Sequence, residues 1–230
     1  MVFHFALGKS HNSFVGGISF MKKFIVELIG TFFLVFTVAT CVINPSAGVI
    51  APIAIGFSLM IMVFAGGHIS GGHYNPAVTV AVAIRGRLPA SEVPAYILAQ
   101  LTGAVFAGGA AYYLKGDSGT DLSDTNYVLG QLVLAEFLFT FALAYVVLNV
   151  ATAKANAGNS FYGLAIGSTV MVGAFAVGPI SGGYFNPAVA TGGLYLGMLT
   201  VPHYLAYIAT QLSAGALAAF VFKTLNPEDK

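Results

Sequence analysis

A chain of 230 residues that is 57% hydrophobic, only 7% charged and close to neutral, with a formal net charge of +1 at pH 7, is not an ordinary soluble domain, since such domains carry about 25% charged residues. The same charge balance leaves no basic stripe to neutralise phosphates and excludes a nucleic-acid partner. A mean hydropathy of +0.86 and 28 glycines, which let helices approach closely in lipid, place the chain in a bilayer.

Residues 1–21 fit neither a spanning helix nor a secretory signal, lacking a basic start, a sustained apolar centre and a small-residue cleavage site. They read as an N-terminal tail in which His4 and His11 are too scattered to form a metal site, and translation could equally begin at Met21, just before Lys22-Lys23. Crossing about 30 Å of hydrocarbon takes about 20 helical residues. Six runs qualify: Phe24 to Ile43, Ala47 to Gly66, Val93 to Tyr113, Tyr127 to Asn149, Phe161 to Gly178 and Val201 to Phe222. Cys41 lies in the first run and reads as packing, and a lone cysteine excludes an intrachain disulfide framework.

An even number of spans puts both termini on one side. Lys9, Lys22, Lys23, Arg85, Arg87, Lys154, Lys223 and Lys230 fall on that side and only Lys115 on the other, so the positive-inside rule makes both termini cytoplasmic. Lys115 to Asn126, with Asp117, Asp121 and Asp124, then forms the longest polar loop outside.

The chain repeats itself. Ile69-Ser70-Gly71-Gly72-His73-Tyr74-Asn75-Pro76-Ala77-Val78 returns as Ile180-Ser181-Gly182-Gly183-Tyr184-Phe185-Asn186-Pro187-Ala188-Val189, with eight of ten positions identical. Glu27 and Thr31 return as Glu136 and Thr140, and Tyr96 and Gln100 as Tyr207 and Gln211. Residues 22–230 therefore form one domain of two repeats, about 22–114 and 127–230. Each repeat has three spans, an odd number, so the second enters from the opposite face. Such inverted repeats place functional sites near the midplane, at their interface.

Asn is a favoured helix N-cap and Pro a favoured first helical residue, so each Gly-Gly-x-x-Asn-Pro-Ala marks a helix start. After Asn75 the apolar stretch ends at Ile84, and after Asn186 at about Gly197. Ten residues give roughly 15 Å of helix, half a bilayer. The two half-helices enter from opposite faces and meet with their N-termini at the midplane. Each N-terminus carries about half a positive charge, a barrier to protons and metal ions. If each Asn caps its helix through its oxygen, its amide is free to donate to a passing solute, and the Gly-rich backbone before it offers carbonyl acceptors along a wet cavity.

These paired Asn-Pro-Ala motifs in an inverted hydrophobic duplication resemble the major intrinsic protein family, the aquaporins and aquaglyceroporins, from Lys22 to the C-terminus. The resemblance implies an all-α integral membrane fold of six transmembrane helices and two re-entrant half-helices, a homotetramer in the cell membrane with one pore per subunit, and passage of water and small neutral solutes without a cofactor. The pore motifs fall on Asn75, Pro76, Ala77, Asn186, Pro187 and Ala188. Glu27 and Glu136, the acids within the spans, are costly enough in a membrane to matter; the family pattern makes them supports for the re-entrant backbone. Gln100 and Gln211 read as interhelical hydrogen-bonding residues, and His68 and His73 as lining of the cytoplasmic vestibule.

One position departs from the family. Where the second Asn-Pro-Ala is usually followed by an Arg of the narrow filter, this chain has Val189, and the other filter positions fall on Ile55, Ala174 and Gly183. That set has no cation, imidazole or ring. It implies a wide apolar filter, with ammonia, urea or glycerol as candidate solutes beside water. The alternative is a strictly water-selective channel in which Phe57, Phe175 or Tyr184 closes the gap. A non-conducting scaffold would be expected to carry long partner-binding loops or tails, and none is present beyond residues 1–21; a gated ion channel would need charged or carbonyl rings along its pore, where the charge census leaves only Glu27 and Glu136; and an enzyme would need a phosphate loop, a Ser/His/Asp constellation or a ligand cluster, none of which the sequence offers.

Overall fold

The computed structural model describes residues 10–43, 47–116 and 128–229. Among the described residues eight α-helices run in the order α1 (Ser10–Val42), α2 (Ala51–Ser70), α3 (Pro76–Arg85), α4 (Val93–Lys115), α5 (Leu129–Val147), α6 (Tyr162–Ser181), α7 (Pro187–Tyr195) and α8 (Val201–Leu225). Six are long and apolar enough to cross a membrane. The helical backbone of α1 starts well before the expected Phe24 and takes in part of the segment read as a tail; its apolar stretch is Phe20–Val42. Lys9, Lys230, His4, Asp117, Asp121, Asp124 and the expected start at Tyr127 lie outside the described residues, as does the side chain of His11.

The burial pattern is that of a chain solvated by lipid. Leu98, Phe106, Leu134, Leu205 and Phe220 are exposed on the outside, while Glu27, Gln100, Glu136, Thr140 and Gln211 are buried within the bundle. In water this arrangement would be costly; in hydrocarbon it is the stable one, because polar groups must find their partners inside.

Helix packing repeats with the sequence. α1 packs on α2 and α4 in the first half as α5 packs on α6 and α8 in the second, and the halves join where α2 meets α6. The short helices exchange partners: α3 packs against α8 of the second half, and α7 against α4 of the first.

The charges sort to one end of the bundle. Lys23 pairs with Glu92 at 2.8 Å, Asp229 holds Arg85 at 2.6 Å and Arg87 at 3.3 Å, and Lys223 Nζ donates to the Ile84 carbonyl at 3.4 Å. The Lys154 N–H also donates to Asp229, at 2.8 Å, and this bond, with Arg85 beside it, holds the Asp229 carboxyl below the usual carboxylate range. Arg85 further stacks on the Phe222 ring, 4.7 Å from its centroid. This end is called the basic face below. Lys115, at the far end of α4 from Glu92, lies toward the opposite face.

Candidate functional site

Both re-entrant segments are built the same way. Gly71 caps α2 at φ 94° and Gly72 follows at 63°; Gly182 caps α6 at 81° and Gly183 follows at 66°. Two left-handed residues in succession turn the chain back into the bundle, and glycine takes that conformation without a Cβ clash. The next turn is made by side chains that pay for it: Tyr74 and Phe185, both bulky, sit at φ 48°. Left-handed geometry in large non-glycine residues is strained and persists only where the surroundings hold it.

The restraint comes from two buried carboxylates. Glu27 Oε1 accepts from Ser70 Oγ at 2.7 Å and the His73 N–H at 2.9 Å, and Oε2 from the Tyr74 N–H at 2.7 Å and Gln100 Nε2 at 2.8 Å. Glu136 repeats the set: Oε1 takes Ser181 Oγ at 2.8 Å and the Tyr184 N–H at 3.0 Å, Oε2 the Phe185 N–H at 2.7 Å and Gln211 Nε2 at 2.8 Å. Tyr96 and Tyr207 donate their hydroxyls to the Ser70 and Ser181 carbonyls. Gln100 and Gln211 thus position the carboxylates as well as bridging helices.

After the strained residue comes the cap. Asn75 Oδ1 accepts from the Ala77 N–H at 2.8 Å and the Val78 N–H at 3.4 Å, and Asn186 Oδ1 from the Ala188 N–H at 2.8 Å. Pro76 and Pro187 open their helices, which end after ten and nine residues. Each Asn amide also crosses to the other half: Asn75 Nδ2 donates to the Phe185 carbonyl at 2.9 Å, and Asn186 Nδ2 to the Tyr74 carbonyl at 2.8 Å. The expectation of wholly free amides is therefore corrected, since one hydrogen of each clasps the opposing loop and one remains. Sequence reading missed this clasp; the signal available was the matching aromatic residue before each Asn.

One cavity borders this junction, and a second meets the first at His73. The first, of about 550 Å³, runs from the junction toward the face opposite the basic one and is lined by Asn75 and Asn186, by Ile55, Ala174, Gly183 and Val189, and by Tyr184, Gly193 and Phe175. All four residues expected at the filter thus border one cavity. A Cβ on Gly183 would lie 3.5 Å from the Ala174 Cα, so those two close one wall together. Phe57 does not line it; its side chain is exposed on the outside of α2. The second cavity, about 730 Å³, opens toward the basic face and is lined by His68, Arg87 and the α5–α6 connection. His73 borders both cavities, buried against the Tyr96 ring at 5.0 Å, with Nδ1 3.1 Å from Thr79 Oγ1.

The helix termini set the electrostatics. α3 and α7 aim their N-termini at one another across the Asn clasp, and two converging positive ends disfavour a cation between them. Among the described residues no group of His, Cys, Asp and Glu could hold a metal ion. The arrangement offers hydrogen bonds to neutral solutes and no reacting group.

Comparison with known proteins identifies a family and a fold. The chain matches the family model described as Major intrinsic protein in two segments, residues 14–179 and 160–229. It is 40% identical over 188 residues to Nodulin-26 of Glycine max, covering 76% of this chain and 67% of that protein. It is 38% identical over 237 residues to Aquaporin NIP1-3 of Oryza sativa subsp. japonica, covering 96% and 79%. Among solved structures, the aquaglyceroporin from Plasmodium falciparum superimposes with a TM-score of 0.72 at 19% identity, over 90% of this chain and 95% of that one, a likeness of fold. On these grounds the chain belongs to the major intrinsic protein family.

Proposed function

We propose that this multi-pass membrane protein is a passive channel for water and small uncharged solutes, with ammonia, urea and glycerol as candidates, whose pore passes between Asn75 and Asn186. Membership of a family of channels sets it apart from enzymes. The observation that carries the solute range is the apolar lining of the cavity beyond the Asn pair: Ile55, Ala174, Gly183 and Val189 offer it neither a cation nor an imidazole. A solute there meets a wall that does not strip hydrogen bonds selectively, so size and neutrality decide. Ions are refused at the junction of α3 and α7, where both helix dipoles present their positive ends.

In this reading Glu27 and Glu136 support the re-entrant backbone, and His68 and His73 line the vestibule of the basic face. That face is cytoplasmic, with both termini on it, in the cell membrane, and four copies assemble with one pore each. The presence of Tyr184 on the cavity wall favours the second reading, a strictly water-selective channel. The two separate in Val189→Arg, assayed by solute uptake into proteoliposomes. The wide-filter reading expects a narrower solute range in the variant than in the unaltered chain. Unchanged uptake would show that Val189 does not border the constriction.

A further inference from the structure

The two halves differ where they line the pore. By the internal repeat, His73 corresponds to Tyr184 and Val82, seven residues after Asn75, to Gly193, seven after Asn186. His73 and Val82 border the basic-face cavity, while Tyr184 and Gly193 border the opposite one. The residue pair is exchanged in size, a smaller ring and a larger aliphatic in one half and a larger ring and no side chain in the other.

Gly193 lies inside α7, and its backbone does not need glycine. What needs glycine is Tyr184: a Cβ at 193 would stand 2.8 Å from Tyr184 Cε1, 2.9 Å from Oη and 3.2 Å from Cζ. The other side of the ring packs on Tyr207, with centroids 4.9 Å apart, and the Tyr184 N–H is fixed by Glu136 at 3.0 Å. The phenol is thus held between α7 and α8 at a defined place. Val189 and Gly193 are four residues apart on α7 and so share a face. The ring end therefore rests one helical turn beyond Val189, on the wall where the family's usual filter Arg is missing.

We propose that Tyr184, resting on Gly193, is the side chain that sets the upper size of solute passing this outer cavity. This rests on the channel reading above. A Cβ at 193 cannot coexist with the ring where it lies, so Gly193→Ala pushes the phenol out of its rest and into the open space beside it, the pore. Removing the ring widens the passage.

The test is stopped-flow light scattering of proteoliposomes in a series of water, urea, glycerol and erythritol, with the unaltered chain, Gly193→Ala, Tyr184→Ala and the double variant. Gly193→Ala is expected to slow glycerol entry about tenfold, the consequence of a barrier raised by a forced overlap. Tyr184→Ala raises erythritol entry relative to water, and the double variant behaves like Tyr184→Ala, because without the ring the added methyl has nothing to displace. Elution as a single species checks folding, and if Tyr184→Ala aggregates, Tyr184→Leu, which fills the space against Tyr207 without the ring's reach, serves in its place. A double variant as slow as Gly193→Ala, or an unaltered solute series in the Tyr184 variant, overturns the inference while leaving the channel reading intact. Protein-free behaviour of the unaltered chain overturns both.

Discussion

The two halves of this molecule share a scaffold and differ in lining. Each has a buried glutamate with four donors and an Asn cap at matched distances, a tyrosine hydroxyl on a serine carbonyl and a strained aromatic residue. In the first half a polar chain continues from there, with Thr79 Oγ1 3.1 Å from His73 Nδ1 and 2.9 Å from Gln100 Nε2. In the second, Ala190 stands where Thr79 would, Tyr184 where His73 would, and Gly193 where Val82 would. Parts that hold the backbone cannot vary without leaving buried N–H groups unpaired, whereas parts that face the cavity can. The asymmetry falls partly on the cavity walls, at His73 and Val82 against Tyr184 and Gly193, and partly on the buried pair Thr79 and Ala190.

The largest effects are expected where the halves agree. Glu27→Leu and Glu136→Leu each leave four buried donors without an acceptor, at about 1–3 kcal/mol apiece. Both should yield little folded protein, read as loss of a single elution peak and of the thermal transition in detergent. If one half tolerates the change and the other does not, the shared scaffold is not shared in energy. Next come Asn75→Ala and Asn186→Ala, which remove a cap and a cross-half bond; each should cost about 1–3 kcal/mol and lower the melting temperature by similar amounts.

Smaller effects are expected where the halves differ. Thr79→Ala removes a hydroxyl that the second half lacks at the matching site, and should cost about 1 kcal/mol, measurable as a modest shift in thermal midpoint. Asp229 tests a contact outside the repeat. Its carboxyl is held low by the Lys154 N–H and by Arg85, so its contribution is present above the usual carboxylate pKa of about 3.9 and is lost as pH falls through the lower folded value. Asp229→Asn should raise hydrogen exchange in the α5–α6 connection near neutral pH, and acidification of the unaltered chain below about pH 4 should do the same.

Much of this was legible in the residues. Gly-Gly-x-x-Asn-Pro-Ala encodes a turn, a cap and a helix start locally, so both half-helices and their lengths follow from short-range rules. Long apolar runs gave the crossing helices; α2 and α6 run a few residues past the expected ends, to the left-handed caps Gly71 and Gly182, while the helical backbone of α1 begins far earlier, at Ser10. What was not legible joins distant segments. The Asn75 amide finds Phe185, 110 positions away, and Arg85 finds Asp229, 144 away, with no local pattern to announce either. The rest of Tyr184 on Gly193 was half-legible: comparing His73 with Tyr184 and Val82 with Gly193 exposes the exchange in size, but only packing shows that the two sites touch.

The central claim is an open pore for neutral solutes whose width is set on the outer side of the Asn pair, and mixing proteoliposomes with hyperosmotic glycerol in a stopped-flow instrument tests it most directly. Fast shrinkage as water leaves, followed by fast re-swelling as glycerol enters, is expected, both well above protein-free vesicles. Fast shrinkage without re-swelling would contradict the wide filter, and traces matching protein-free vesicles in both phases would contradict the open pore.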